Sequence, residues 1–241
     1  MAADIALILK NLLEFYDFSA RHVLAVGAGG GQFAAYGREA RRVTAVERDP
    51  SAMESLRSEV LRLGLADRFA YWSGDFGACP ITADVVLFEF CLHEMDDPAA
   101  AAARALRLAP EAVIIDHAPG SPWIFYGAED DKVARSWKAA AAFSPVRRAD
   151  YLSEQRFADF AELEAKVRPQ GVESLRRVEP FRDRTGIVIP MTYAAALLRR
   201  QTCPLRHLIS ASAFSISGRH FFISSSLMES GGLASAGRNA L

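Results

Sequence analysis

The stretch with the most chemical content runs from His22 to Phe33, HVLAVGAGGGQF. An apolar run turns through Gly27, Ala28, Gly29, Gly30 and Gly31 into a segment that begins Gln32-Phe33-Ala34-Ala35. Glycine takes positive φ and lets a backbone come close to a ligand, so a strand–glycine–helix corner suits a nucleotide or nucleoside. Further along, Glu47, Asp75 and Glu89 each end or follow an apolar run, and so do His93 and the pair Asp116-His117. Carboxylates at such positions accept charge-assisted hydrogen bonds from hydroxyls and amines. A histidine near its ordinary pKa of about 6.5 exchanges a proton at working pH.

These residues need a scaffold that gathers them at one edge. Apolar or β-branched runs at 23–27, 42–47, 69–73, 84–89 and 112–116 read as strands. Segments 32–41, 51–63 and 98–108 between them read as helices, with Asp49-Pro50-Ser51 as a start signal for the second. Strands alternating with helices predict a parallel sheet with helices on both faces, and ligands bind beyond the carboxyl ends of such strands. At the N-terminus, Ile5, Ile8, Leu9, Leu12, Leu13 and Tyr16 share a helical stripe, predicting an amphipathic helix within residues 1–20. Beyond Pro122 the segments WIFYGAEDDKVARSWKAAAAF and DYLSEQRFADFAELEAKV read as helices, giving a helical cap over 120–170. Residues 173–181 and 186–192 read as strands that close the sheet in antiparallel fashion. Residues 201–241 form a C-terminal extension, with RHFFISSSLM as one more candidate strand and a small, polar tail expected to lack order.

Composition narrows the function classes. The 241 residues are 51% hydrophobic and carry a formal net charge of −1, so no broad basic field exists to hold nucleic acid. Cys79, Cys91 and Cys203 lack CxxC spacing and supply no disulfide framework, which points to the cytoplasm. The N-terminal segment places its charges in the wrong order for a signal peptide, and no apolar run is long enough for a bilayer span. His93, Glu94, Asp116 and His117 have no familiar metal-ligand spacing, so no metal is expected.

The dinucleotide fingerprint G-x-G-x-x-G would need a third glycine where Gln32 stands; the spacing present is G-x-G-x-G, at Gly27, Gly29 and Gly31. With VTAVERDP, SGDF and VVLFEFCLHEMDDP following in that order, the chain from Tyr16 to Thr192 resembles the class I S-adenosylmethionine-dependent methyltransferases. That resemblance implies a Rossmann-like seven-stranded sheet, mostly parallel with antiparallel last strands, over residues 1–200. It also implies S-adenosyl-L-methionine as cofactor and a small-molecule acceptor. Gly27, Ala28, Gly29 and Gly31 would face the cofactor. Glu47 with Arg48 would take the ribose, Asp75 and Phe76 the adenine, and Glu89 the same pocket. Ala25 stands where the family usually has an acid that orients the loop or the methionine end, and Tyr16 is a candidate to compensate. His93, with Asp116 or His117 beside it, would orient or deprotonate the acceptor. An NAD-dependent oxidoreductase and a non-catalytic cofactor-binding relative remain as alternatives, and the oligomeric state stays open.

Overall fold

A computed structural model describes residues 3–201; the C-terminal extension, with its candidate strand and tail, lies outside the described residues. The chain opens with α1 (Ile5–Phe15), whose first turn is capped by Asp4 accepting from the amide of Leu7. There follow β1 (His22–Val26), β2 (Arg42–Glu47), α2 (Pro50–Arg62), β3 (Phe69–Ser73), β4 (Val85–Glu89), α3 (Pro98–Leu108) and β5 (Glu111–His117). Asp49 and Asp97 cap α2 and α3, each ahead of a proline in the first turn, so two of the helix starts are written in local sequence.

The second half holds α4 (Pro122–Gly127), α5 (Asp130–Ala141), β6 (Arg147–Asp159), α6 (Phe160–Val167), α7 (Val172–Val178) and β7 (Thr185–Arg199). The seven strands lie in the order β3-β2-β1-β4-β5-β7-β6. The first five are parallel; β7 runs antiparallel between β5 and β6. Alternation along the strands builds two cores. Val23, Ala25, Val85 and Leu87 face a layer containing α1 and α2, and Leu24, Val26, Val86 and Phe88 face one containing α3 and α5.

Three expected elements differ. Segment 32–41 forms only a 3₁₀ turn, Ala34–Arg38. Gly37 within it lies so close to the Phe69 ring that a Cβ would sit 2.5 Å from Cε2, and a longer regular helix does not develop there. Segment 151–159 is not helix but the outer strand β6. Its inward positions Gln155 and Phe157 are buried while Leu152 and Arg156 face out, a period-two pattern that the charged residues obscured in sequence. Pairing with β7 from Arg147 to Asp159 overrides helical propensity. Conversely, 173–181 is α7 and a 3₁₀ turn rather than a strand, with Ser174 and Val178 buried one helical turn apart and Glu173 bonded to Arg176 and Arg177.

Candidate active site

The carboxyl ends of β1, β2, β4 and β5 bring the glycine loop, Glu47, Glu89 and Asp116-His117 to one edge. Gly27, Gly29 and Gly31 have φ of 69°, 50° and 80°. A Cβ on Gly27 would meet Cys91 Cβ at 2.4 Å, so the loop is pressed against the segment after β4. The Cys91 thiol donates to the Val26 carbonyl at 3.1 Å, and burial raises its pKa. Glu47 holds the loop from the other side: one carboxylate oxygen accepts from the Gly29 amide at 3.0 Å, the other from the Asp49 amide at 2.9 Å. A single side chain thus fixes both the glycine turn and the start of α2.

Two cavities open here. One, of about 240 Å³, is bordered by Glu47, Arg48, Asp75, Phe76 and Met95. Asp75 accepts from the Gly77 amide at 2.6 Å, forming an Asx-type turn that leaves its second oxygen unbonded by protein among the described residues. Phe76 is buried and Arg48 exposed. The larger cavity, of about 510 Å³, lies under Gly27–Gly30 and extends to Phe33, Trp123, Phe157 and Met191. Gly27 and Glu94 border both, so the two spaces meet at that point.

The polar floor of the larger cavity is a charge cluster. Asp116, fully buried, accepts from His93 Nδ1 at 2.6 Å, from the His93 amide at 3.0 Å and from the His117 amide at 2.8 Å. The other ring nitrogen, Nε2, lies 3.4 Å from Glu94 and 3.9 Å from Glu129. Burial alone would lower the His93 pKa; its bonds to Asp116 and Glu94, with the charges of Asp116 and Glu129, outweigh that and raise it to about 10. His93 is therefore an imidazolium at neutral pH, not the group titrating near 6.5 that its sequence context suggested. Glu94 is lowered by His93 and by Lys132, whose ammonium lies 2.9 Å away. Glu129, only 5% exposed, is raised to about 7 by burial, against the pull of His93. Burial lowers His117 to about 4, with the His93 charge adding to the effect, and its Nδ1 has no hydrogen-bond partner among the described residues. The nearest atoms of His93, Glu94 and Glu129 lie within 4.8 Å of one another, a spacing a divalent cation accepts.

His93, Asp116 and His117 thus converge, and Gly27, Ala28, Gly29, Glu47, Asp75 and Glu89 border the same pair of cavities or hold their walls. Gly31 stands behind them, packed on Leu56 and Glu59 of α2. Tyr16 is a correction. Its hydroxyl donates to Glu111 at 2.6 Å, at the amino end of β5, on the opposite edge of the sheet from the loop. Sequence reasoning missed Tyr36 and Glu129. Tyr36 donates to Glu89 at 3.0 Å and is fully buried. Glu129 enters the cavity from the turn between α4 and α5, where Ala128 takes a left-handed φ of 56°, and no local motif announces it.

A methyltransferase domain model matches residues 24–115. Aclacinomycin 10-hydroxylase RdmB of Streptomyces purpurascens is 39% identical over 128 residues, 49% of this chain; the match spans only 34% of that protein. Among solved structures, a Bacillus halodurans C-125 protein assigned to the methyltransferases superposes with a TM-score of 0.59 at 16% identity, over 83% of this chain and 99% of that one. YcgJ of Bacillus subtilis gives 0.55 at 16%, over 82% and 98%. At such identities these structures speak for the fold, and the fold is the Rossmann-like methyltransferase one. The glycine loop and the β2 acid both lie within residues 24–115, the stretch that is similar to a methyltransferase domain, and the strand order is that of the methyltransferase fold.

Proposed function

We propose that the protein transfers a methyl group from S-adenosylmethionine to a small molecule. The observation that carries this reading is the meeting of two cavities at Gly27 and Glu94 beneath a glycine loop clamped by Glu47. The donor set fits the cofactor: a carboxylate at the end of β2 for the ribose hydroxyls, the free oxygen of Asp75 with the Phe76 ring for adenine, and a glycine cradle for the methionine end. When bound, the cofactor supplies a methyl group already activated on a sulfonium, so positioning provides much of the rate. In this reading the aromatic walls Phe33, Phe90, Trp123 and Phe157 enclose the acceptor and exclude water. The imidazolium of His93, oriented by Asp116, donates a hydrogen bond to it. Glu129 takes the proton that the acceptor sheds, since Glu94 is already engaged by Lys132. Residues 1–200 would form the working unit, in the cytoplasm, where free thiols such as Cys79 and Cys91 persist. No described helix is long and apolar enough to cross a membrane.

Replacing Glu47 with alanine is expected to weaken S-adenosylhomocysteine binding by about 1.5–3 kcal/mol, the range for hydrogen bonds to a charged group. Calorimetry checks this, and an unchanged affinity removes Glu47 from the ribose site. A second reading follows from the relative whose name is that of a hydroxylase. Hydroxylation would draw dioxygen and a reductant from outside the chain, and mass analysis of acceptor products separates the two, since methylation adds a CH₂ unit and hydroxylation an oxygen.

A further inference from the structure

Glu129 is a buried carboxylate that the fold leaves poorly matched. It is 5% exposed, and among the described residues its one ion-pair partner is His93 Nε2, at 3.9 Å. The turn between α4 and α5 sets it beside Glu94, a like charge that repels it. Two carboxylates and an imidazole brought to one point on a cavity wall are stabilised by a shared cation.

Each of the three side chains is held on its far side and open on its near side. Asp116 accepts from His93 Nδ1 at 2.6 Å, which turns Nε2 toward the two glutamates. Lys132 donates to Glu94 Oε2 at 2.9 Å, and the other oxygen, Oε1, faces Nε2 at 3.4 Å. Glu129 Oε2 lies over Gly127, where an added Cβ would meet it at 3.2 Å, and Oε1 is the oxygen nearest Nε2. Metal-ligating histidines are oriented in this way by a carboxylate on the other nitrogen, and ligating carboxylates by a donor on the other oxygen. One atom from each residue, all within 4.8 Å of one another, makes one face of a coordination shell. All three residues border the larger cavity, so the remaining positions open into it. We infer that His93, Glu94 and Glu129 bind a divalent first-row transition cation. A nitrogen with two carboxylates suits Zn²⁺, Co²⁺ or Mn²⁺ better than Ca²⁺ or Mg²⁺, which prefer oxygen alone. Nε2 ligates as the neutral ring, so its proton passes to solvent as the cation enters. Without the cation, Nε2 keeps that proton and Glu129 is open, the state that the proposed reaction uses; binding of the cation does not depend on that reaction. Spacing in the sequence gave no sign of the site because its third ligand comes from a distant turn.

The test strips the full chain with EDTA, removes the chelator, and titrates Co²⁺, followed by its visible absorption and by calorimetry. The wild type is expected to bind one Co²⁺ with a visible ligand-field band, and Zn²⁺ to displace it. Equal concentrations of Ca²⁺ or Mg²⁺ are expected to leave it in place. Glu129→Gln and Glu94→Gln are each expected to weaken Co²⁺ by more than about 100-fold, beyond the 10–100-fold typical of a change behind the ligands. Glu162→Gln is the control: this carboxylate also borders the larger cavity, it accepts from the Ala158 amide, and its variant is expected to bind Co²⁺ as the wild type does. Metal-free melting curves show which variants fold, and either of the two ligand variants decides the matter if the other does not. Wild-type protein that binds no Co²⁺ overturns the inference, and so does a folded Glu129→Gln or Glu94→Gln that binds it as well as the wild type. A loss in Glu162→Gln as large as in the ligand variants would reduce the effect to general attraction by acids, and also overturn it. Displacement by Ca²⁺ or Mg²⁺ would overturn the class of cation assigned.

Discussion

Asp116→Ala is expected to cost about 3–5 kcal/mol of folding stability near neutral pH, the loss typical of removing one partner from a buried charge pair. Asp116 is fully buried and satisfies three donors: the His93 ring, the His93 amide and the His117 amide. Removing it strands two backbone amides and weakens the main support of the imidazolium. The pH dependence has a definite sign. The folded His93 pKa, about 10, lies above the unfolded value, so its contribution is fully present below about pH 6.5. It is lost as pH rises through 10. The gap between wild type and variant should therefore be widest in mildly acidic solution and narrow in alkali. Urea unfolding of both proteins across that range measures it. A gap below 1 kcal/mol at pH 6, or one that widens with pH, would mean that His93 is not held as an imidazolium by Asp116.

Glu129→Gln carries the second large effect. If Glu129 receives the acceptor's proton, turnover should fall roughly 10²–10⁴-fold, the usual worth of a positioned base. Affinity for S-adenosylhomocysteine should stay unchanged, because the proposed ribose and adenine partners, Glu47, Asp75 and Phe76, border the other cavity. In the wild type the rate should climb as Glu129 ionises through about pH 7. The groups that set this titration are His93 and Lys132, which favour the charged form, and Glu94, which opposes it. With glutamine the climb should vanish. The measurement needs an acceptor, found by screening small phenols, amines, thiols and acids for release of S-adenosylhomocysteine. A glutamine variant that keeps full rate and the same pH profile would leave methyl transfer here to positioning alone.

The two halves of the chain differ in how far their sequence could be read. From β1 to β5 each strand is a short apolar run and α2 and α3 each begin at an aspartate cap, so local rules suffice except at 32–41, which forms only a 3₁₀ turn. Beyond Pro122 they do not. The strand β6 alternates Tyr151, Ser153, Gln155 and Phe157 against Leu152, Glu154 and Arg156, a pattern too polar to stand out until β7 is known to pair with it. The site divides similarly. His93 and Asp116 leave neighbouring strands, so topology brings them together; Glu129 hangs on a two-helix turn whose place against His93 is decided by tertiary packing. Tyr16 shows the converse error. A residue on an apolar helical stripe near the loop in sequence turned to the far edge of the sheet, where Glu111 accepts a hydrogen bond from its hydroxyl. The domain match stops at residue 115, while Trp123, Glu129, Phe157 and Met191 wall the larger cavity, so that part of its lining lies outside the matched stretch.

The position of β7 bears on how the chain is made. β5 ends at His117, yet the strand that covers its open side begins only at Thr185. On the ribosome the five parallel strands can assemble in order as they emerge, leaving β5 as a temporary border. At about 5–20 residues per second, the wait for residues 118–184 lasts roughly 3–13 s. Throughout it, the backbone of Glu111–His117 offers unpaired amides and carbonyls beside an apolar sheet face, a template for any other nascent chain. Yield should therefore respond to translation speed and to chaperones that shield strand borders. Substitutions in β7 should show themselves as aggregates during synthesis more than as lowered melting temperature afterwards, which pulse-labelled solubility of slow- and fast-codon messages would reveal.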